Sequence, residues 1–529
     1  MNAAPHGKYD VAIVGGGHNG LVAAAVLAGN GLKVIVLEAA DALGGAARSY
    51  EFHPGYRVAG CAQTVSLLRP EIVSALKLTE HGLRYAVTDL PTVALTGGGN
   101  HLSLNDMTAL AKVSAADARA LPDFRRRIIR YAGALAPALL RQPPRMDFRN
   151  RANLRELGRL GLRIRLLGRR DMRELLRIIG MNAYDLVSDE FENETVKAAI
   201  ALDAVMGNHM GPRSPNSVYT YLYRMAGNID GQAAAVALPA GGIGAAIEAI
   251  ASAARRAGAE IRTGSPVARV LVKDERVAGL IFEDGSELAV NTVLSNADPK
   301  TSLLKLLGTE HLDTEFVNRT RHFRDRGTTA KLHLALDGLP DSLSALPQRG
   351  QARLVIAPGL DALERAFDAC KYHGVADALP MEIVVPTLAD TTLAPSGKHV
   401  LSANVQYVPY ALADGDWGRA RDRLRDRLIA AIDTQLPDTK ARVIAAEFLT
   451  PPDIEANFRL GGGHWHQGEI QLDQVWSMRP MGGFAQYRMP VPGFYLCGAG
   501  THPGGGITGA PGWNAAQAVM ADLKSAQQR

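Results

Sequence analysis

Residues 9–48, YDVAIVGGGHNGLVAAAVLAGNGLKVIVLEAADALGGAAR, constrain this chain more than any other stretch. An apolar, β-branched run (Val11, Ile13, Val14) leads into Gly15-x-Gly17-x-x-Gly20, and a small-residue helical pattern follows at 23–28. A second apolar run, 34–37, then stops on Glu38. This is the order of the first β-α-β unit of a dinucleotide-binding fold. Gly15 makes the tight turn, Gly17 lets main chain approach a pyrophosphate, and Gly20 lets the helix pack close on the sheet. The pyrophosphate meets the unpaired N–H groups and positive dipole end of the helix. Glu38 is placed to accept both hydroxyls of an adenosine ribose.

Beyond Glu38, Gly44-Gly45 extends the phosphate-facing loop, as a long cofactor such as FAD requires. Residues 38–49 resemble the glutamate-plus-glycine-pair signature of the FAD-dependent amine oxidase and phytoene desaturase superfamily. Ala42 and Ala46 stand where that signature usually carries arginine, and Arg48 lies nearby. Residues 492–510, PGFYLCGAGTHPGGGITGA, are similar to the closing flavin-binding motif of the desaturase group. The resemblance assigns Gly500, Thr508 and Gly509 to the flavin site. There a helix N-terminus stabilises the negative charge that builds on the ring during hydride acceptance. Residues 238–299, opening on Gly241-Gly242-x-Gly244 and closing on Ser-Asn-Ala-Asp-Pro, resemble the second portion of the flavin domain, in which the residue matching Val267 contacts adenine. Within 59–83, Ser66-Leu67-Leu68-Arg69-Pro70 and His81-Gly82-Leu83 resemble the branch that includes pyridine nucleotide-disulfide oxidoreductase domain-containing protein 2 and its bacterial relatives.

The implied fold is α/β: a Rossmann-like FAD-binding domain of GR2 type with an interleaved α+β substrate domain of mixed sheet and helices. The implied division gives 1–70, 231–300 and 451–529 to the FAD-binding domain, and 71–230 and 301–450 to the substrate domain. Strand patterns at 330–336, 354–357, 382–385 and 400–407 and a charged helix at 416–434 fit that substrate domain.

Bulk numbers exclude more than they assign. A length of 529 residues suffices for two or three domains. Basic residues number 58 against 53 acidic, a net +5 that gives no argument for nucleic acid. Cys61, Cys370 and Cys497 form no C-x-x-C pair, which removes disulfide-reductase chemistry. The N-terminal residues carry no signal or transit pattern, and the expectation is a cytoplasmic protein. One charge run is unusual: 12 arginines between 141 and 177 (141, 145, 149, 151, 155, 159, 163, 165, 169, 170, 173 and 177), with leucines interspersed. Three readings stay open here: a solvated or subunit-facing helix, peripheral docking on anionic lipid, and a nucleic-acid role that lacks aromatic stacking partners.

Hydride removal from carbon needs the substrate held near flavin N5 and often a base. Residues 461–469, GGGHWHQGE, offer His464, His466 and Glu469 just before the closing flavin motif. If extended, the loop turns both histidines to one face, but no third ligand accompanies them and no metal is assigned. With no second Gly-x-Gly-x-x-Gly unit, the electron acceptor is expected to be a quinone, oxygen or another carrier. The resemblance to the phytoene desaturase superfamily implies FAD-dependent dehydrogenation of a C–C or C–N bond in a small, largely apolar organic substrate. A redox-neutral isomerase and a flavin-binding protein of structural or regulatory role are the alternatives. Oligomeric state, a homo-oligomer included, is left open.

Overall fold

In a computed structural model, residues 8–99, 101–145 and 150–527 are described. Strands Val11–Val14 and Val34–Leu37 are almost wholly buried, as both-sided burial in a parallel sheet demands. They sit in a five-stranded parallel sheet, whose order is Glu260–Arg262, Val34–Leu37, Val11–Val14, Val293–Ser295, Phe494–Leu496. Three separated stretches of sequence therefore meet in one sheet.

Alternation within these short strands sends side chains to two different cores. Val11, Ile13, Val34 and Val36 face a core shared with helices His18–Gly29, Ile243–Arg256 and Ala510–Gln527. Ala12, Ile35 and Leu37 face the opposite core, shared with the antiparallel meander Val267–Lys273, Arg276–Phe282 and Glu287–Ala289. The first helix is apolar all round, with Leu21 to Ala28 buried, because it is covered on both sides by the other two.

The second sheet has seven strands, in the order Val443–Leu449, Thr329–Leu336, His399–Gln406, Met381–Val384, Arg353–Ile356, Thr92–Ala94, Leu102–Ser103. It is mixed: Arg353–Ile356 runs parallel to Thr92–Ala94, and the other neighbours are antiparallel. Helices Ala115–Leu135, Glu194–Val205 and Ser217–Arg224 share its core. The helix expected at 416–434 is Trp417–Gln435.

The arginine-rich segment forms helices Arg151–Leu166 and Arg169–Ile178; Arg149 lies outside the described residues. Glu156 pairs with Arg141 at 3.2 Å and with Arg159, and Arg177 pairs with Glu174 at 2.8 Å. Among the described residues, no helix is long and apolar enough to cross a membrane.

Candidate active site

The turn after the first strand is bare main chain because side chains have no room there. A Cβ on Gly20 would lie 2.3 Å from the Gly15 carbonyl oxygen, and one on Gly17 would lie 2.7 Å from Asn296 Nδ2. The second glycine pair folds against it: Gly44 N–H donates to Gly16 O at 3.0 Å, with Gly44 at φ +118°. Glu38 ends its strand with a fixed carboxylate, accepting from Gly16 N at 2.7 Å and Ala40 N at 2.8 Å. Each oxygen keeps a lone pair for a further donor.

These residues line one wall of a cavity with about 2090 Å³ of empty space, part of it open to solvent. Gly15, Gly17, Glu38, Gly44, Gly45 and Arg48 all line it, and so does Val267. Arg48 donates to Asn457 O at 3.2 Å and stacks over the Phe458 ring. Gly20, Gly500, Thr508 and Gly509 do not line it. Gly500 N–H donates to Gln467 Oε1 at 3.0 Å, and Thr508 Oγ1 accepts from Ala510 N at 3.0 Å, opening the last helix. Gly506 and Ile507, immediately before that helix, do line the cavity.

The wall fits a dinucleotide. His18 Nε2, Asn19 Oδ1 and Arg48 Nε are buried without a hydrogen-bond partner, and all three residues line the cavity. Folded proteins leave few such atoms. A ligand rich in phosphate and hydroxyl oxygens supplies the missing partners. Burial holds His18 down at about 4, so it is neutral at physiological pH.

The 461–469 loop is not extended. Residues 461–463 form a tight turn with Gly462 at φ +64°, and Gln467 N–H donates to His464 O at 2.8 Å; the two imidazole centroids lie 5.9 Å apart, tilted by 53°. His466 and Trp465 line the cavity, whereas His464 and Glu469 do not. His464 Nε2 instead meets Glu469 Oε1 at 3.1 Å, both buried, while its Nδ1 accepts from His466 N–H at 3.2 Å. Glu469 Oε2 also accepts from His209 N–H at 2.9 Å. Burial holds His466 well below the usual histidine range, leaving a neutral ring. No group of three His, Cys, Asp or Glu side chains able to hold a metal occurs among the described residues.

A further set of polar residues comes from the seven-stranded sheet and its helices. Lys331 faces Asn404 and Asn404 faces Glu382 across adjacent strands, which puts all three in one row on one sheet face. Lys331 Nζ donates to Asn404 Oδ1 at 2.8 Å and Gln63 Oε1 at 2.7 Å. Arg353 donates to Asp203 Oδ2 at 2.9 Å and Glu382 Oε2 at 2.9 Å; Arg224 reaches Glu382 at 2.6 Å and Asp203 at 3.3 Å. Two guanidiniums and two carboxylates thus close a buried ring of alternating charge. The sequence signal is the period-two recurrence of polar residues inside strands buried on both faces: Lys331 and His333, Ser402, Asn404 and Gln406.

The sequence signature of flavin containing amine oxidoreductases matches residues 20–520. The chain belongs to this family. Like other flavin containing amine oxidoreductases it uses FAD, and it is an FAD-dependent oxidoreductase of α/β fold. It is 36% identical to pyridine nucleotide-disulfide oxidoreductase domain-containing protein 2 of Mus musculus over 98% of this chain and 94% of that one. It is 24% identical to phytoene desaturase (lycopene-forming) of Pseudescherichia vulneris over 94% and 96% of the two chains. A solved structure of a putrescine oxidase triple mutant shares the fold, with TM-score 0.60 and 15% identity over 98% of this chain and 99% of that one. Despite the name of the mouse relative, Cys61, Cys370 and Cys497 of this flavin containing amine oxidoreductase are buried free thiols.

Lys331 makes the site pH-sensitive. It is fully buried, and burial pushes its amine down to about 7. An unfolded lysine keeps its proton to about 10.4, so between these values the unfolded state binds more protons and stability rises with pH. The penalty is fully present below about 7 and is relieved as pH climbs. Its slope is at most about 1.4 kcal/mol per pH unit. In Lys331→Met, this component of the slope between pH 7 and 10 is expected to vanish from denaturant unfolding curves. An unchanged slope relative to wild type would refute the assignment.

Proposed function

We propose that this oxidoreductase dehydrogenates a C–C or C–N bond of a largely apolar organic substrate by hydride transfer to flavin N5. The observation that carries this is one cavity lined both by the glycine loops and Glu38 and by Leu67, Met206, Ile470 and the neutral ring of His466. The phytoene desaturase and putrescine oxidase relatives support C–C and C–N chemistry respectively. FAD, when bound, supplies the two-electron acceptor. Gly15, Gly17, Gly44, Gly45 and Arg48 would hold its phosphates, Glu38 its ribose and Val267 its adenine. Gly500, Thr508, Gly509 and the last helix shape the ring end.

His466 is the group of its loop that touches the cavity and can take a proton there. His464 and Glu469 are positioning residues, acting through the hydrogen bond from His466 N–H to His464 Nδ1. On this reading the FAD-binding domain comprises 1–70, 231–300 and 451–529, and the substrate domain 71–230 and 301–450. Anaerobic photoreduction of the purified protein, followed by mixing with a quinone, oxygen or NAD(P)+, tests it. Reoxidation by quinone or oxygen is expected. A reduced flavin that no acceptor reoxidises favours a structural or regulatory role, or a redox-neutral isomerase.

On this reading the protein works in the cytoplasm in peripheral contact with anionic membrane, from which it draws apolar substrate. Leu154, Leu162 and Leu166 are exposed, on the side of helix Arg151–Leu166 away from Leu157, Leu160 and Ile164, and exposed arginines surround them. Such a face suits an anionic lipid surface. Wild type is expected to float with phosphatidylserine vesicles, and a variant with Arg151, Arg155, Arg159 and Arg163 changed to Gln to stay at the bottom. Wild type that does not float sinks the idea.

A further inference from the structure

The charged ring has two layers with respect to the cavity. Asp203, Arg224 and Glu382 line the cavity, together with Gln63 and Asn404; Arg353 and Lys331 sit behind them and do not. Each acceptor oxygen of the front layer already receives a donor. Asp203 Oδ1 and Oδ2 both receive Arg353. Glu382 Oε2 receives Arg224 and Arg353, and its Oε1 receives Gln63 Nε2 at 3.1 Å. The amide oxygens of Gln63 and Asn404 are taken by Lys331.

Beside the imidazole nitrogen His466 Nδ1, what lacks a partner at this part of the wall includes hydrogen-bond donors. The Arg224 side chain is 19% exposed, and its residue lines the cavity. Trp465 Nε1 and Thr220 Oγ1 are buried with no hydrogen-bond partner, and both residues line the same cavity. Trp465 can only donate. A hydrocarbon packed here would bury these donors unpaired, at about 1–3 kcal/mol each. An ammonium group would leave the Trp465 N–H unpaired and set a second cation beside Arg224. An oxygen that accepts hydrogen bonds satisfies the wall.

Building on the proposed use of this cavity for substrate, we infer that the substrate carries a carboxylate or carbonyl oxygen on its apolar body, received by Arg224, Trp465 and Thr220. The apolar part then lies along Leu67, Met206 and Ile470, which line the same cavity. The chemistry of the wall separates this protein's substrate from a bare hydrocarbon and from a bare amine. Sites built to hydrogen-bond a polar group discriminate strongly against analogues that lack it.

The test is calorimetric titration of the FAD-loaded protein with octanoate, 2-octanone, octylamine and 1-octene, with the flavin absorbance band followed in parallel. Octanoate or 2-octanone is expected to bind at least about tenfold more tightly than octylamine or 1-octene. The two oxygen ligands, compared with each other, separate carboxylate from carbonyl. Trp465→Phe keeps the ring and removes the N–H, and Arg224→Lys keeps the charge. Each is expected to weaken binding of the preferred oxygen ligand about tenfold, at unchanged FAD content. Where Arg224→Lys does not fold, Trp465→Phe decides. Octylamine or 1-octene binding as tightly as the oxygen ligands overturns the inference. So does no binding of either oxygen ligand at millimolar concentration, or binding unchanged in every folded variant. A wild type that binds octanoate but no FAD refutes the redox reading while upholding the ligand assignment.

Discussion

Gly17→Val is expected to purify colourless. Gly17 has an ordinary φ of −73°, so the effect is steric and not conformational. Its Cβ would lie 2.7 Å from Asn296 Nδ2, an amide that donates to Gly15 O at 3.3 Å. Asn296 cannot retreat without releasing that carbonyl, and two methyl groups on the new Cβ would reach into the space the pyrophosphate needs. Loss of the close main-chain approach is expected to weaken FAD at least about 100-fold, ~2.7 kcal/mol. Gly29, at the far end of the same helix, has open space around it. Gly29→Ala should therefore keep its flavin and gain helix stability of up to about 1 kcal/mol. The check is the ratio of flavin to protein absorbance after desalting. A yellow Gly17→Val at the wild-type ratio would remove the cradle from the account.

Arg479→Met should cost more than any other single substitution considered. Arg479 is 0% exposed and, among the described residues, pairs with no carboxylate. Its guanidinium donates only to main-chain oxygens: Ala499 at 3.1 and 2.8 Å, Glu469 at 2.8 Å, Gln474 at 3.1 Å, His466 at 2.8 Å and Gly468 at 3.1 Å. It thereby ties the His466 loop to the glycine-rich turn before the last helix. Burial lowers it to about 10, still charged at neutral pH. Methionine fills similar volume but strands these carbonyls, each unpaired group costing about 1–3 kcal/mol. A loss of at least ~5 kcal/mol is expected, comparable with the whole stability of many domains. Arg479→Lys, with three donors, should fall between. Soluble yield and thermal melting decide; an Arg479→Met protein melting within a few degrees of wild type would refute the clamp.

Local pattern carries the parallel sheet and little of the opposite wall. Val11, Ile13, Val14 and Glu38 are legible because strand, turn, helix and acid follow one another within one unit, and each step leaves its own spacing. The ring of Asp203, Arg224, Arg353 and Glu382 leaves none: Arg353 and Asp203 meet across 150 positions, Arg224 and Glu382 across 158. Only the polar alternation inside the strand around Lys331 hints at it. The His464 and His466 pair shows the other limit. Residue types there are readable, but whether the loop is extended depends on Arg479 and Glu469, whose bonds close a turn and send one imidazole away from the cavity.

The five-stranded sheet imposes an order on biosynthesis. Its first pair, Val11–Val14 and Val34–Leu37, leaves the ribosome early, but the neighbour of Val11–Val14 arrives with Val293–Ser295 and the edge with Phe494–Leu496. At about 5–20 residues per second, translation leaves the nascent first pair waiting roughly 20–90 s for its last partner. Through that interval an apolar strand edge is open to other chains, a known route to aggregation. Lower expression levels, which keep unfinished chains apart, should therefore raise the soluble yield without any change in the stability of the finished sheet.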